Sequence, residues 1–99
     1  MPAQVKVIRK AVSTAGTQEK LTATQTWVLW AIFRAEDDTI YIGDLNVSAT
    51  TGIHQKTTSS DLVIPPYATD PPQPFDLSEI WVDADTNADA VQVIYLEAK

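Results

Sequence analysis

Ninety-nine residues are enough for one core of ordinary size, and they hold seven basic against thirteen acidic residues, a net charge of −6, no cysteine and 44% hydrophobic residues. That balance has the wrong sign for a protein that draws its affinity from a phosphate backbone, so no nucleic-acid partner is expected. The missing cysteines exclude a disulfide framework, a cysteine zinc site and a thiol nucleophile.

No apolar run approaches the length of about eighteen residues that a membrane helix needs. The opening MPAQVKVIRKAV lacks the apolar stretch and small-residue cleavage site of a signal peptide. A soluble chain, with no membrane partner, is the expectation. Lys6, Arg9, Lys10, Lys20 and Arg34 lie early, whereas Asp61 to Glu97 carries eight carboxylates and no base. A solvated acidic surface is the simplest reading of that asymmetry, and orientation on a partner is the other.

Helical periodicity is almost absent, while short runs of Val, Ile, Thr, Tyr and Trp recur between turn residues. The predicted elements are strands at Val5 to Val12, Glu19 to Thr22, Thr26 to Ala35, Thr39 to Ile42, Asn46 to Ser48, Ser60 to Ile64, Glu79 to Val82 and Ala90 to Glu97. They imply an all-β, single-domain antiparallel β-sandwich or jelly-roll-like barrel over residues 1–99. In Thr26 to Phe33, strict alternation puts Trp27, Leu29, Ala31 and Phe33 on one face and Val28, Trp30 and Ile32 on the other. Both faces are apolar, so one meets the core and the second needs another sheet, a long loop or another subunit.

Glu36-Asp37-Asp38 reads as the acidic tip of a hairpin into Thr39 to Asp44, and Ala49 to Gly52 as a second turn. His54, the only histidine, has no Cys, Asp or Ser constellation beside it in the sequence and reads as a loop residue rather than a ligand or base. Residues 65–75 hold five of the six prolines. Repeated proline fixes φ and removes donors, so this is an extended loop or arm, with Tyr67, Pro71, Pro72 and Phe75 available to lie along a neighbour.

Asp83 to Asp89, DADTNAD, spaces its first three oxygens as a calcium loop does. The match stops there: the glycine position is Ala88, the bidentate glutamate position is Ile94, and the flanks read as strands. Asp, Asn and Thr are also what a turn between strands requires, and a hairpin loop is the stronger expectation, with no metal and no cofactor. The sequon Asn46-Val47-Ser48 has no export signal to support it. No glycine-rich phosphate loop or nucleophile elbow is present, and the carboxylate pairs sit in turns, so an enzyme is not expected.

Ile40 to Ile53, IYIGDLNVSATTGI, and Asp76 to Val91, DLSEIWVDADTNADAV, together resemble small structural proteins of tailed-bacteriophage virions, in which an "IYVG…VS…G" element precedes "DLS-I-(Y/W)-VDADT…D-V". Residues 65–74 stand between the two motifs as an insertion. The resemblance implies a noncatalytic head decoration (cement) protein, β-rich and often trimeric, on the capsid surface. It would be made in the host cytoplasm, with the major capsid protein or another virion protein as its partner. Trp27, Trp30, Phe33, Tyr67, Phe75 and Trp81 are then the expected anchors of core and interface. The alternative is a fibre or baseplate module that stacks carbohydrate on Trp81 or Tyr41.

Overall fold

The computed structural model describes residues 4–36, 39–48, 50–58, 61–65 and 73–98. Among the described residues nine strands form: β1 (Gln4–Ala11), β2 (Glu19–Lys20), β3 (Trp27–Ala35), β4 (Thr39–Gly43), β5 (Ile53–Lys56), β6 (Leu62–Ile64), β7 (Phe75–Asp76), β8 (Trp81–Ala84) and β9 (Ala90–Glu97). They make two antiparallel sheets, one ordered β1-β9-β3-β6 with β7 also on β3, the other ordered β2-β8-β4-β5. The expected β-sandwich is what the chain forms.

The core is the space between the sheets. Ala31, Phe33, Val91 and Val93 project from the larger sheet onto Ile40, Ile42, Val82 and Ala84 of the smaller, and Val12, Leu21 and Leu77 close the ends. On β1 the same inward face carries Lys6, Ile8 and Lys10, opposite Tyr95, Val93 and Val91. The two lysines reach the rim of the sandwich, where they pair with Glu97 at 3.0 Å and Glu19 at 2.8 Å. Inward-pointing charge of this kind guards an edge strand against adventitious pairing.

Several expected elements are corrected. β3 and β4 lie in different sheets and do not pair, so they are not the expected hairpin, whose tip residues Asp37 and Asp38 lie outside the described residues; the hairpin is β4 with β5. Asn46 to Ser48 is not a strand, because its polar groups close a loop on itself. Asn46 N–H donates to Asp44 Oδ1 (2.9 Å), Thr51 Oγ1–H to the Asn46 carbonyl (2.7 Å), and Gly52 N–H to the Ser48 carbonyl (3.0 Å). Side-chain bonds to nearby backbone compete with a ladder in just this way. His54 then sits on β5 opposite Tyr41, their rings edge to face at 4.8 Å, and is not a loop residue.

At Leu77–Glu79 the chain makes a 3-10 turn capped by the Asp76 carboxylate, which accepts from Ser78 N–H and also from Thr26 N–H, each at 2.9 Å. The following strand therefore begins at Trp81, two residues later than Glu79. Phe75, the last residue of the span read as an arm, forms with Asp76 a two-residue strand on β3. Tyr67, Pro71 and Pro72 lie outside the described residues.

Strict alternation fails in β3. Val28 pairs with Glu97 and Trp30 with Leu96, so Leu29 is one residue more than β9 can match. This bulge reverses the phase of the strand. Val28 joins Ala31 and Phe33 in the core, while Trp27, 46% exposed, turns out to solvent instead of sharing their face.

Candidate protein-docking face

Residues directly opposite across a ladder share a face, so the register of the larger sheet defines its outer surface row by row. One row is Val5, Leu96 and Trp30. The next is Val7, Ile94, Ile32 and Val63, running across all four strands. Exposure along these rows reaches 60% at Val5, 67% at Val7, 41% at Val63 and 38% at Ile94. An antiparallel sheet with one solvated face normally turns polar residues to water; two apolar rows reverse that rule and make this face the candidate interaction surface.

The third row is charged. Arg9, Gln92 and Arg34 are aligned by register. Arg34 forks onto Asp61 through Nε (2.9 Å) and Nη2 (2.8 Å), and Arg9 Nε donates to Glu36 Oε2 at 2.7 Å. Hydrogen bonds from Arg9 and, less strongly, Gln92 hold the Glu36 carboxyl below its ordinary range, and the bond from Arg34 does the same to Asp61. Val7, Ile32, Arg34, Asp61, Gln92 and Ile94 line a shallow depression where the apolar and charged rows meet.

Over β4 and β8 the outer face of the smaller sheet is covered by its own loops, while His54 and Lys56 of β5 stay exposed. Gly16 N–H donates to Asp83 Oδ1 at 2.9 Å, which lays residues 13–17 over β8. Gly52 closes over Tyr41 so tightly that an added Cβ would stand 2.5 Å from Val47 Cγ2 and 3.0 Å from Tyr41 Cβ. Tyr41 is consequently only 6% exposed, and its hydroxyl donates to Asp85 Oδ1 at 2.7 Å. A ring so enclosed offers no platform for a sugar. Trp81 is half-buried, with Lys20 Nζ 5.9 Å from its ring centroid.

Of the anchors expected from sequence, Trp30 lies on the docking face and Trp27 turns outward at the start of the same strand. Of the two roles left open for it, Phe33 takes the core one: it is fully buried between the sheets and presents no surface to a partner. Phe75 packs half-buried against the core. The sequence reading missed Val5, Val7, Val63, Ile94 and Leu96. The signal was present in β9, whose run VQVIYLE is apolar in both phases beyond Gln92.

DADTNAD does not join a hairpin, because β8 pairs with β2 and β4 whereas β9 pairs with β1 and β3. It bridges the two sheets, and its oxygens fasten another loop: Asp83 Oδ1 accepts from Gly16 and Ala84 N–H, and Asn87 Oδ1 from Ala15 N–H at 2.8 Å. Among the described residues no three His, Cys, Asp or Glu side chains gather to hold a metal ion. Likewise no helix among them is long and apolar enough to cross a membrane.

Ala88 occupies the left-handed region at φ 71°, where an L side chain is strained. Ala88→Gly should relieve that strain and raise stability by about 0.5–1 kcal/mol, checked by chemical denaturation; a loss of stability would contradict it.

The carboxylates give a sign to the pH dependence. The bond from Lys10 lowers Glu19, as those from Arg9 and Arg34 lower Glu36 and Asp61. For Asp76, burial pushes upward, but donation from Thr26 and Ser78 N–H outweighs it and the net shift is downward. Groups depressed on folding contribute stability that is fully present above their ordinary values, 4.5 for Glu and 3.8 for Asp, and lost as pH falls through the lower folded values. The melting temperature should thus be level from neutral pH to about 5 and decline below about 4.5. A melting temperature that rises toward pH 3 would contradict the assignment.

Compared with protein-family models, with curated proteins and with solved structures, the chain matches none.

Proposed function

We propose that this chain is a noncatalytic structural protein of a tailed-phage virion, of the head decoration kind, held among its neighbours through the outer face of the larger sheet. Its place is the capsid surface, reached after synthesis in the host cytoplasm, with a virion protein as partner. The observation that carries the reading is the pair of apolar rows from Val5 to Val63, open to solvent on a sandwich whose other outer face is covered by loops over β4 and β8 and polar on β5. The resemblance of residues 40–53 and 76–91 to virion proteins supplies the setting. A face built on paired strands is rigid before it docks, so binding loses little conformational entropy, and a modest area can suffice where many copies act together.

Peptide mass spectrometry of density-banded virions from the phage that encodes the chain tests the reading. Decoration of a shell predicts a copy number that scales with the capsomers, on the order of tens to hundreds. A handful of copies would move the chain to a fibre or baseplate, and absence from purified virions would overturn the proposal.

A further inference from the structure

We infer that the occupant of the docking face is a second copy of this chain, packed face to face about a two-fold axis that runs parallel to the strands. The inference deepens the virion reading by naming the neighbour, and it rests on the same face.

The charged row carries the argument. From the free edge inward it reads Arg9, then Glu36 over Gln92, then Arg34, then Asp61: plus, minus, plus, minus. A two-fold axis along the strands lays this row against its own reverse. Arg9 then faces Asp61 of the other copy, and Glu36 faces Arg34, so all four facing pairs are opposite in sign. An alternating row with an even number of charges is self-complementary under that operation, and an isologous interface requires such a pattern.

A second observation points the same way. The chain carries −6 overall, yet the four charges of this row cancel. Two acidic molecules can therefore approach through this face without bringing like net charge together across the row. The apolar rows would meet their own copies as the inner faces of stacked sheets do, with strands aligned to within about 30°.

Size sets the strength. Each outward residue of a sheet covers about 33 Å² in projection, from a strand spacing of about 4.8 Å and a two-residue repeat of about 6.8 Å. The eleven residues of the three rows then cover roughly 360 Å² on each copy, about 720 Å² over the pair, which is the size of a weak, reversible contact, so a dissociation constant on the order of tens of micromolar is expected. One patch meeting itself closes as a pair, which departs from the trimer expected of decoration proteins.

Sedimentation equilibrium over about 5 to 300 µM tests the assignment. The wild-type mass should climb from 10.9 kDa toward twice that value. Ile94→Lys, at the centre of the second row, should remain monomeric throughout while keeping the wild-type circular dichroism spectrum. Arg9→Glu should weaken association at least about tenfold, because it sets two acids against each other across the axis.

Adding Asp61→Arg to Arg9→Glu should restore association. The double variant rebuilds every facing pair between copies while placing like charges side by side within each copy, so a role confined to one chain would not produce the rescue. A wild-type monomer at the highest concentration, a trimer, or a dimer indifferent to Ile94→Lys would each overturn the inference. A monomer that is nevertheless present in virions overturns the second-copy assignment alone; a dimer absent from virions supports it and removes the virion reading.

Discussion

Phe33→Ala will cost about 3–5 kcal/mol of stability, the range for truncating a large aromatic in a packed core. Phe33 is fully buried, opposite Val93 on one side and Leu62 on the other, and its ring fills the space between the sheets. Removing it leaves a cavity that paired strands cannot collapse around. A domain of this size has about 5–15 kcal/mol in total, and each kcal/mol shifts its melting temperature by roughly 4–8 °C. A fall of at least about 12 °C is therefore expected by calorimetry. The same experiment separates core from interface: were Phe33 a contact residue, the melt would hardly move and only association would suffer.

Asp83→Ala is the second large effect, at about 2–4 kcal/mol. The side chain is 4% exposed, and one oxygen accepts both Gly16 N–H at 2.9 Å and Ala84 N–H at 2.8 Å. Truncation strands two backbone donors, each worth about 1–3 kcal/mol when left unsatisfied, and frees the loop that covers β8. Asp83→Asn keeps an acceptor at the same position and should cost about 1 kcal/mol or less. Melts of the wild type in calcium and in chelator should coincide, because Asp83, Asp85 and Asn87 each accept a hydrogen bond from the chain itself. A calcium-dependent rise in the melting temperature would show that the loop can trade those donors for a cation.

Much of the fold was legible in the sequence because most strands declare themselves by composition. β9 was bounded to the residue, and β1 and β3 within one residue, since β-branched and aromatic runs bordered by polar turns have few other solutions. What escaped was whatever depends on partners distant in sequence. β5 reads Ile-His-Gln-Lys, with a single apolar residue, and becomes a strand only because β4 lies beside it. Leu29 carries no local mark of a bulge; the extra residue exists only relative to β9, and it alone turns Trp27 out to water on the same side as Trp30. DADTNAD declares its turn chemistry, but a hairpin is expected there where a crossover between sheets forms, because the period-2 pattern of its flanks does not say which sheet each flank joins.

The docking face follows the same rule. That β3 is apolar on both sides was visible, and a second contact for it was expected. That Val5, Val7, Ile94, Leu96 and Val63 line up with Trp30 and Ile32 follows from the register, which no single strand contains. The alternating charges are more hidden still, drawn from three separate segments of the chain.

The most direct test of the central claim is hydroxyl-radical footprinting of this chain in intact virions and free in dilute solution. If the outer face of the larger sheet is the docking surface, oxidation of Trp30, Ile32 and Ile94 should fall at least about fivefold in the virion, as expected for side chains moved from a solvated face into an interface core. Exposed Leu45 and Ile53, at the far end of the smaller sheet, should be oxidised comparably in both states. Equal oxidation of the three face residues in both states would contradict the account.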